Sequence, residues 1–541
     1  MALTRSLPQL AHIISAHANS IHDDYQSCGI QQPSFECGTS HYAGPYTSQV
    51  ENSRAELLEA IDELRSLIVG PAGHVFFMSF MGPAWTATLN VLYKFQIPKH
   101  VPLGDFISYR DLGAKCGLSE VNARRYVRSA ISFRIFSEPC PGRVQHNAAS
   151  AILATTTLHD WIGTATEDLA PSALKVSESM IKFPGGVEPA ESAFAIANGS
   201  KGDKDLFTIV SDQPERMERF ANAMAWSMKV PGMEPAYTVN HLGWGNGRKT
   251  KSRWCPRVIV DVGGGTGTLC KAILQAYVGI EKAIVEDLPD VIAQGVAQAS
   301  SDFKGRLEFH GYNFFTEQSI KNADVYIWRC VLHDWPDSYA AKILKNQIPA
   351  LKPGARLLLL ERCLEDPKPF GHVSDQFAMS CDILMHLCAN AKERSRDDWV
   401  ALFALADQRF RIKSITTPPH SALSIIEVTW DEKDEAVSPV CSFGESYQQC
   451  RGASNRHMIS PPPEVRRLKK LSSTPYSSIE PEVNKYQKGK PGQDPKQDRE
   501  VISRSVVDRA RSTRSNRHGV REDERSGLRS DQDQLTPKSN S

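Results

Sequence analysis

Val258-Ile-Val-Asp-Val-Gly-Gly-Gly-Thr-Gly-Thr268 runs from an apolar stretch into a glycine loop, and then into the helix-patterned LCKAILQAY. Strand, tight turn and helix in that order open a βαβ unit. Glycines let the backbone turn sharply and let a ligand approach it. Gly263, Gly265 and Gly267 give GxGxG, whereas a dinucleotide fingerprint wants GxGxxG and would end here on Thr268. The loop therefore fits a nucleoside cofactor without a pyrophosphate better than NAD. A plain strand-to-helix turn is the simpler alternative.

Downstream, KAIVED, ADVYIWR and ARLLLLERCL read as further buried strands, with helical patterns between them. Such alternation over about 170 residues predicts a doubly wound, mostly parallel α/β sheet, which binds ligands at the carboxyl ends of its strands. KAIVEDLPDVI places Glu286 and Asp287 at the end of the second strand. A carboxylate there can accept hydrogen bonds from both hydroxyls of a ribose. Asp287 before Leu288-Pro289 can equally mark a helix start. HGYNFF, ending at Phe315, offers an Asn and aromatics that can meet an adenine, or serves as a strand-entry loop.

ADVYIWRCVLHDWPD, Ala323 to Asp337, is the most specific element. His333 follows a buried strand at the ligand-binding edge, and an acid and a large aromatic, Asp334 and Trp335, come directly after it. A histidine with an ordinary pKa of about 6.5 can take a proton near neutral pH, and carboxylates can fix its tautomer. Glu361 in LLLLE and Glu393 in AKERSRDDW are the later acids. A structural histidine is the competing reading.

Upstream, residues 1–50 are polar and read as a poorly ordered arm. ENSRAELLEAIDELRSLIVG, from Glu51, has apolar residues at three- and four-residue steps, as a helix does. ISYRDLGAKCGLSEVNARRYVRSAISFRIF, from Ile107, reads as helix, turn, helix, with Gly117 as stop and Ser119 as cap. SEPCPGRVQHNAAS then forms a wing. Such an outline can read DNA, and Arg124, Arg125, Arg128 and Arg134 are available for it. It serves as readily for dimerisation. The predicted units are 51–165, helical with a winged helix; 166–250, a helical connector; 251–434, the sheet domain; and 435–541, a tail of Ser, Pro and charged residues that reads as disordered.

The whole chain has 63 basic and 62 acidic residues, a net charge of +1, which argues against a general polycation for nucleic acid. The tail holds 20 basic and 14 acidic residues, so its charge of +6 could meet anionic surfaces or simply be solvated. No uninterrupted apolar run approaches the roughly 20 residues of a membrane helix, so no membrane is expected. MALTRSLPQLAHIISAHA does not read as a secretory signal. The 12 cysteines form no CxxC pair, which argues for reduced thiols, a cytoplasmic location and no zinc site.

DVGGGTG, VEDLPDVI, the Asn-Phe-Phe segment, WRCVLHDWPD, LKPGARLLLLE and AKERSRDDW stand in an order and spacing that resembles the plant and fungal small-molecule O-methyltransferases, the caffeic-acid O-methyltransferase-like group. The resemblance spans roughly residues 55 to 430, and the fungal members of aromatic polyketide pathways look closest. It implies a Rossmann-like sheet that binds S-adenosyl-L-methionine, an N-terminal winged-helix domain that dimerises over the neighbouring active site, and transfer of a methyl group to a hydroxyl of an aromatic secondary metabolite. Carried over by motif, Asp261 supports the loop of Gly263, Gly265 and Gly267. Asp287 holds the ribose, Asn313 and Phe314 flank the adenine, and Arg329 lies near the cofactor. His333 is the general base, oriented by Glu361 and Glu393. The acceptor pocket takes Leu384 and Met385, with Phe220, Trp226 and Met228, although these could also be plain core. The family often carries Asp where Asn313 stands, and the segment between Met385 and Glu393 departs from the plant pattern.

The expected reaction needs no metal. A phenol of pKa near 10 is a poor nucleophile until its proton leaves, and general-base help is worth about 10² to 10⁴ in rate. Competing readings are a nicotinamide oxidoreductase, a winged-helix DNA-binding regulator and a catalytically silent pathway partner.

Overall fold

A computed structural model describes residues 5–38, 47–245, 254–299, 301–365 and 372–431. The predicted tail, 435–541, lies outside the described residues. Seven strands form the central sheet: β1 Val258–Val262, β2 Lys282–Asp287, β3 Leu307–Gly311, β4 Val325–Arg329, β5 Arg356–Glu361, β6 Phe410–Thr416 and β7 Ser424–Trp430. Their spatial order is β6-β7-β5-β4-β1-β2-β3. Neighbours from β3 through β5 are parallel, and β7 runs antiparallel to both β5 and β6. The sheet is mixed, with the expected parallel centre.

Alternation along the strands explains why it is wound on both faces. Val260, Trp328, Leu357 and Leu359 enter one core with Trp399 and Phe403. Ile259, Ile327, Leu358 and Leu360 enter the opposite core with Leu269 and Ile273. Runs such as LLLL are apolar throughout because each face is covered by helices. Helices Thr268–Ala276, Pro289–Ala297 and Asp337–Gln347 make the crossovers. β3, β6 and β7 went unread in the sequence. β6 is FRIKSIT, an edge strand in which Arg411 and Lys413 alternate with Phe410 and Ile412.

The winged helix is present. Helices Tyr109–Cys116 and Glu120–Ser132 are joined through Gly117, at φ 70°, and capped by Ser108 and Ser119. Phe106–Ser108, Arg143–Gln145 and Ser137–Cys140 make the antiparallel wing. Leu112, Val127, Ala130 and Val144 are its core. Two of its arginines are engaged within the unit: Arg124 pairs with Glu120 and Arg128 with Glu138, each at 2.8 Å.

One expectation is corrected. The predicted arm contains a helix, Leu7–Cys28, with a Ser6/Gln9 capping box and Gly29 in the left-handed region as its stop. Leu10 and Tyr25 are buried, and Arg5 pairs with Glu63 at 2.6 Å. Its polar outer face hid the helical pattern. Pro71–Lys94 is a 24-residue helix in which an 18-residue window reaches a mean hydropathy of 1.3, enough by length and composition alone to cross a membrane. Gly, Ser, Thr and Asn interrupt its sequence, so no continuous apolar run stood out. Thr88 and Leu92 in its C-terminal half are buried, whereas Val75, Phe76, Met78 and Phe80 on its N-terminal half are exposed.

Candidate active site

The glycine loop leaves β1 with Gly263, Gly265 and Gly267 at φ 74°, 59° and 77°. The N–H groups of Gly263 and Gly264 donate to the Glu286 carbonyl at 2.7 and 3.0 Å, which ties the loop to β2. A Cβ on Gly264 would sit 2.7 Å from Asp261 Cγ, and one on Gly263 would sit 2.8 Å from Val331 Cγ2. Asp261 lies buried under the loop, and burial pushes its pKa up to about 7. Its Oδ1 has no hydrogen-bond partner among the described residues. An open backbone cradle above an orphaned buried carboxyl oxygen suits a ligand that brings donors of its own.

Asp287 and Glu286 separate cleanly. Asp287 Oδ2 accepts the Gly265 N–H at 2.9 Å, and its Oδ1 accepts the Leu288 N–H at 2.8 Å. Each oxygen keeps a second lone pair. Glu286 is wholly buried, accepts from Gln318 Nε2 at 2.7 Å, and is pushed up to about 7 by burial. Glu286 therefore belongs to the interior and Asp287 to the loop.

Asn313 is a turn residue first: its Oδ1 accepts the Phe315 N–H at 3.0 Å and its carbonyl accepts from Thr316. Phe314 meets the Phe315 ring edge-on at 5.1 Å and packs near Trp335. Arg329 donates to the Met233 carbonyl and to Met228 Sδ. Met228 thus sits against Arg329, beside the end of β4.

His333 lies on the short turn Leu332–Asp334 after β4. Its Nδ1 is 3.1 Å from Glu393 Oε1, and its Nε2 is 3.6 Å from Asp334 Oδ1. Glu361, expected to orient the ring, instead accepts the backbone N–H groups of Val331 and Leu332, at 2.9 and 2.8 Å. It shapes the segment and leaves the ring contact to Glu393. Burial alone would lower the His333 pKa; Asp334, Glu361 and Glu393 outweigh it and raise the pKa well above the usual value.

Arg394, unnoticed in the sequence, clamps this segment. Fully buried, it donates to the Leu332 carbonyl at 2.7 Å, the Trp335 carbonyl at 2.8 Å and Asp337 at 2.9 Å. Asp382 accepts the Glu393 N–H at 2.9 Å. Cys330, His333 and Glu361 also bring ligand atoms within 4.8 Å of one another. A search for paired cysteines could not find that grouping. Glu361 Oε1 is already engaged by two N–H groups and His333 Nδ1 by Glu393.

Of the predicted acceptor residues, Phe220 packs beside Phe207, at 6.4 Å, in a small core with Phe194 and Ile209. Trp226 is half-buried beneath Lys229. Leu384 and Met385 are half-buried on helix His372–Ala389. Arg362 stands 3.9 Å from Glu393, with Phe377 and Cys381 against it, and none of the three was singled out from the sequence.

The family model for the O-methyltransferase domain matches residues 254–409. The O-methyltransferase kk1A of Curvularia clavata is 33% identical over 428 residues, covering 78% of this chain and 97% of the relative. The chain belongs to the O-methyltransferase family. The chlorophenol O-methyltransferase of Trichoderma longibrachiatum is 31% identical over 429 residues, covering 78% of this chain and 90% of that one. The crystal structure of LaPhzM superposes with a TM-score of 0.56 at 25% identity, covering 67% of this chain and all of that one. This O-methyltransferase uses S-adenosylmethionine.

Proposed function

We propose that this enzyme methylates a phenolic hydroxyl of an aromatic secondary metabolite, with His333 as general base. The contact that carries the reading is Glu393 Oε1 to His333 Nδ1. A carboxylate on Nδ1 holds that nitrogen as the donor and leaves Nε2 to face an acceptor proton. The name of the chlorophenol relative supports a phenol-like acceptor.

Bound S-adenosylmethionine supplies the activated methyl group and a positive charge. Asp287 takes the ribose hydroxyls on its free lone pairs, and the Gly263–Gly267 backbone gives the room. Phe314 offers an apolar face to the adenine, with Asn313 holding the turn that presents it. Beside a bound cation, His333 holds its own proton less tightly, so its raised pKa falls and Nε2 becomes available. Nε2 accepts the phenolic proton as the oxygen attacks, and Glu393 steadies the resulting imidazolium. Glu361 and Arg394 keep the turn in place, so catalysis is largely positioning. Phe220, Trp226, Met228, Leu384 and Met385 remain the proposed apolar lining of the acceptor pocket. Incubating the full chain with methyl-labelled cofactor and a panel of phenols, read by mass, tests the reading; labelled aryl methyl ethers are expected, and labelled product on nitrogen or carbon alone contradicts it.

The exposed apolar half of helix Pro71–Lys94 also supports a dimer. Val75, Phe76, Met78 and Phe80 are each more than half exposed, and neighbouring helix Ser48–Val69 leaves Leu58, Ile61 and Ile68 open. Apolar surface on two adjoining helices is what a second copy can cover. Sedimentation velocity is expected to give a dimer that dissociates in a Phe76→Asp/Phe80→Asp variant; a monomer in the parent protein contradicts this.

A further inference from the structure

Arg362 follows Glu361 at the end of β5. Its side chain is 13% exposed, and its Nε lies 3.9 Å from Glu393 Oε1, beyond hydrogen-bond range. Its Cζ is 5.0 Å from the centre of the Phe377 ring, on helix His372–Ala389. The Cys381 thiol, one turn further along that helix, lies against the same guanidinium. Among the described residues, the buried Arg362 Nε has no hydrogen-bond partner.

Arg394 shows what a structural arginine looks like at this site: two carbonyls and a carboxylate take its donors at 2.7 to 2.9 Å. Arg362 has no such set. A guanidinium is always charged and presents donors in a planar fork that matches a carboxylate. Glu393, the acid 3.9 Å from it, spends Oε1 on His333 Nδ1 at 3.1 Å, and among the described residues its buried Oε2 has no hydrogen-bond partner. A cation set against an aromatic ring, beside the base and short of partners, is arranged to receive an anion.

We infer that Arg362 is an anion subsite of the acceptor cleft, and that the acceptor is an aromatic acid carrying its carboxylate close to the hydroxyl that His333 deprotonates. The ring lies against Phe377 and the carboxylate meets the guanidinium fork. This rests on the proposed function of His333. The alternative role for Arg362 is positioning, in which it only offsets the charge of Glu393.

The test is calorimetry on the full chain with S-adenosylhomocysteine present, using 2-hydroxybenzoate and its methyl ester as probes. Binding needs no methyl transfer, so failure of the chemistry and failure of the subsite are read separately. The parent protein is expected to bind the acid at least ~10-fold tighter than the ester, on the scale of one charge-assisted contact. Arg362→Leu is expected to erase that preference and Arg362→Lys to keep part of it. An acid that binds no better than its ester, or that does not bind, overturns the inference. So does equal weakening of both probes in Arg362→Leu. Where methyl transfer to the ester is measurable, its pH profile is expected to stay in place in Arg362→Leu; a shifted profile assigns Arg362 to positioning and overturns the subsite.

Discussion

Glu393 touches the His333 ring, with Oε1 at 3.1 Å from Nδ1, whereas Glu361 reaches only the N–H groups of Val331 and Leu332. The two acids, equivalent in the sequence reading, therefore do different work. Glu393→Gln is expected to lower kcat by about 10- to 100-fold, the scale of a lost partner that orients a ligating or basic histidine. Glu361→Gln is expected to act on stability as well, because it weakens acceptance of two buried N–H groups. Parallel melting curves and steady-state kinetics check this; equal kinetic loss with unchanged melting in both variants contradicts it.

Asp287→Ala is expected to weaken S-adenosylmethionine binding by about 1.5–3 kcal/mol, the range for hydrogen bonds to a charged group. Glu286→Ala is expected to cost stability instead, since its carboxylate is bonded to Gln318 inside the fold. Calorimetric affinity beside thermal melting separates the two, and a cofactor effect confined to Glu286 reverses the assignment.

Glu286 also predicts a pH effect. Its folded pKa is raised to about 7, so the fold holds a proton that the unfolded chain releases above about 4. Its contribution is therefore favourable below pH 4 and is lost as pH rises toward 7. Glu286→Gln keeps the Gln318 contact without the buried charge and is expected to gain up to about 3 kcal/mol at pH 8, with little gain at pH 4. Denaturant unfolding at both pH values checks the difference; a gain that is the same at both contradicts it.

Arg394→Met is expected to lower both stability and kcat. It leaves the Leu332 and Trp335 carbonyls without their buried donor and unlocks the turn that carries His333. A stability loss of about 3–5 kcal/mol is the scale for breaking one side of a buried charged network. Normal kcat in a folded Arg394→Met protein argues against the clamp.

His333 links stability and activity in opposite directions. Its folded pKa is raised, so it stabilises the fold while protonated, below about 6.5, and that contribution is lost as pH rises through the folded value. Activity needs the neutral ring and is expected to climb with pH over a lower span, because the cation of the bound cofactor lowers the pKa. A pH–rate profile falling with pH there contradicts the base role.

Much of this was legible because local pattern and chemistry coincide. VIVDVGGGTGT had to be strand, turn and helix, and the HDW segment placed His333 at a strand end. What stayed hidden depends on long-range contacts. Glu361 and Glu393 are both buried acids near one histidine, and only the fold shows which one touches it. Nothing local marks Arg394 or Arg362; their places show only where the fold brings them to Glu393 and the Leu332–Asp334 turn. The helix Leu7–Cys28 was obscured because few of its residues are buried.

Labelled methyl transfer by His333→Gln, measured beside calorimetric affinity for S-adenosylmethionine, tests the base most directly. Turnover is expected to fall by about 10² to 10⁴ while cofactor affinity stays unchanged. A variant that retains parental turnover, or one that loses cofactor affinity instead, contradicts His333 as the group that takes the acceptor's proton.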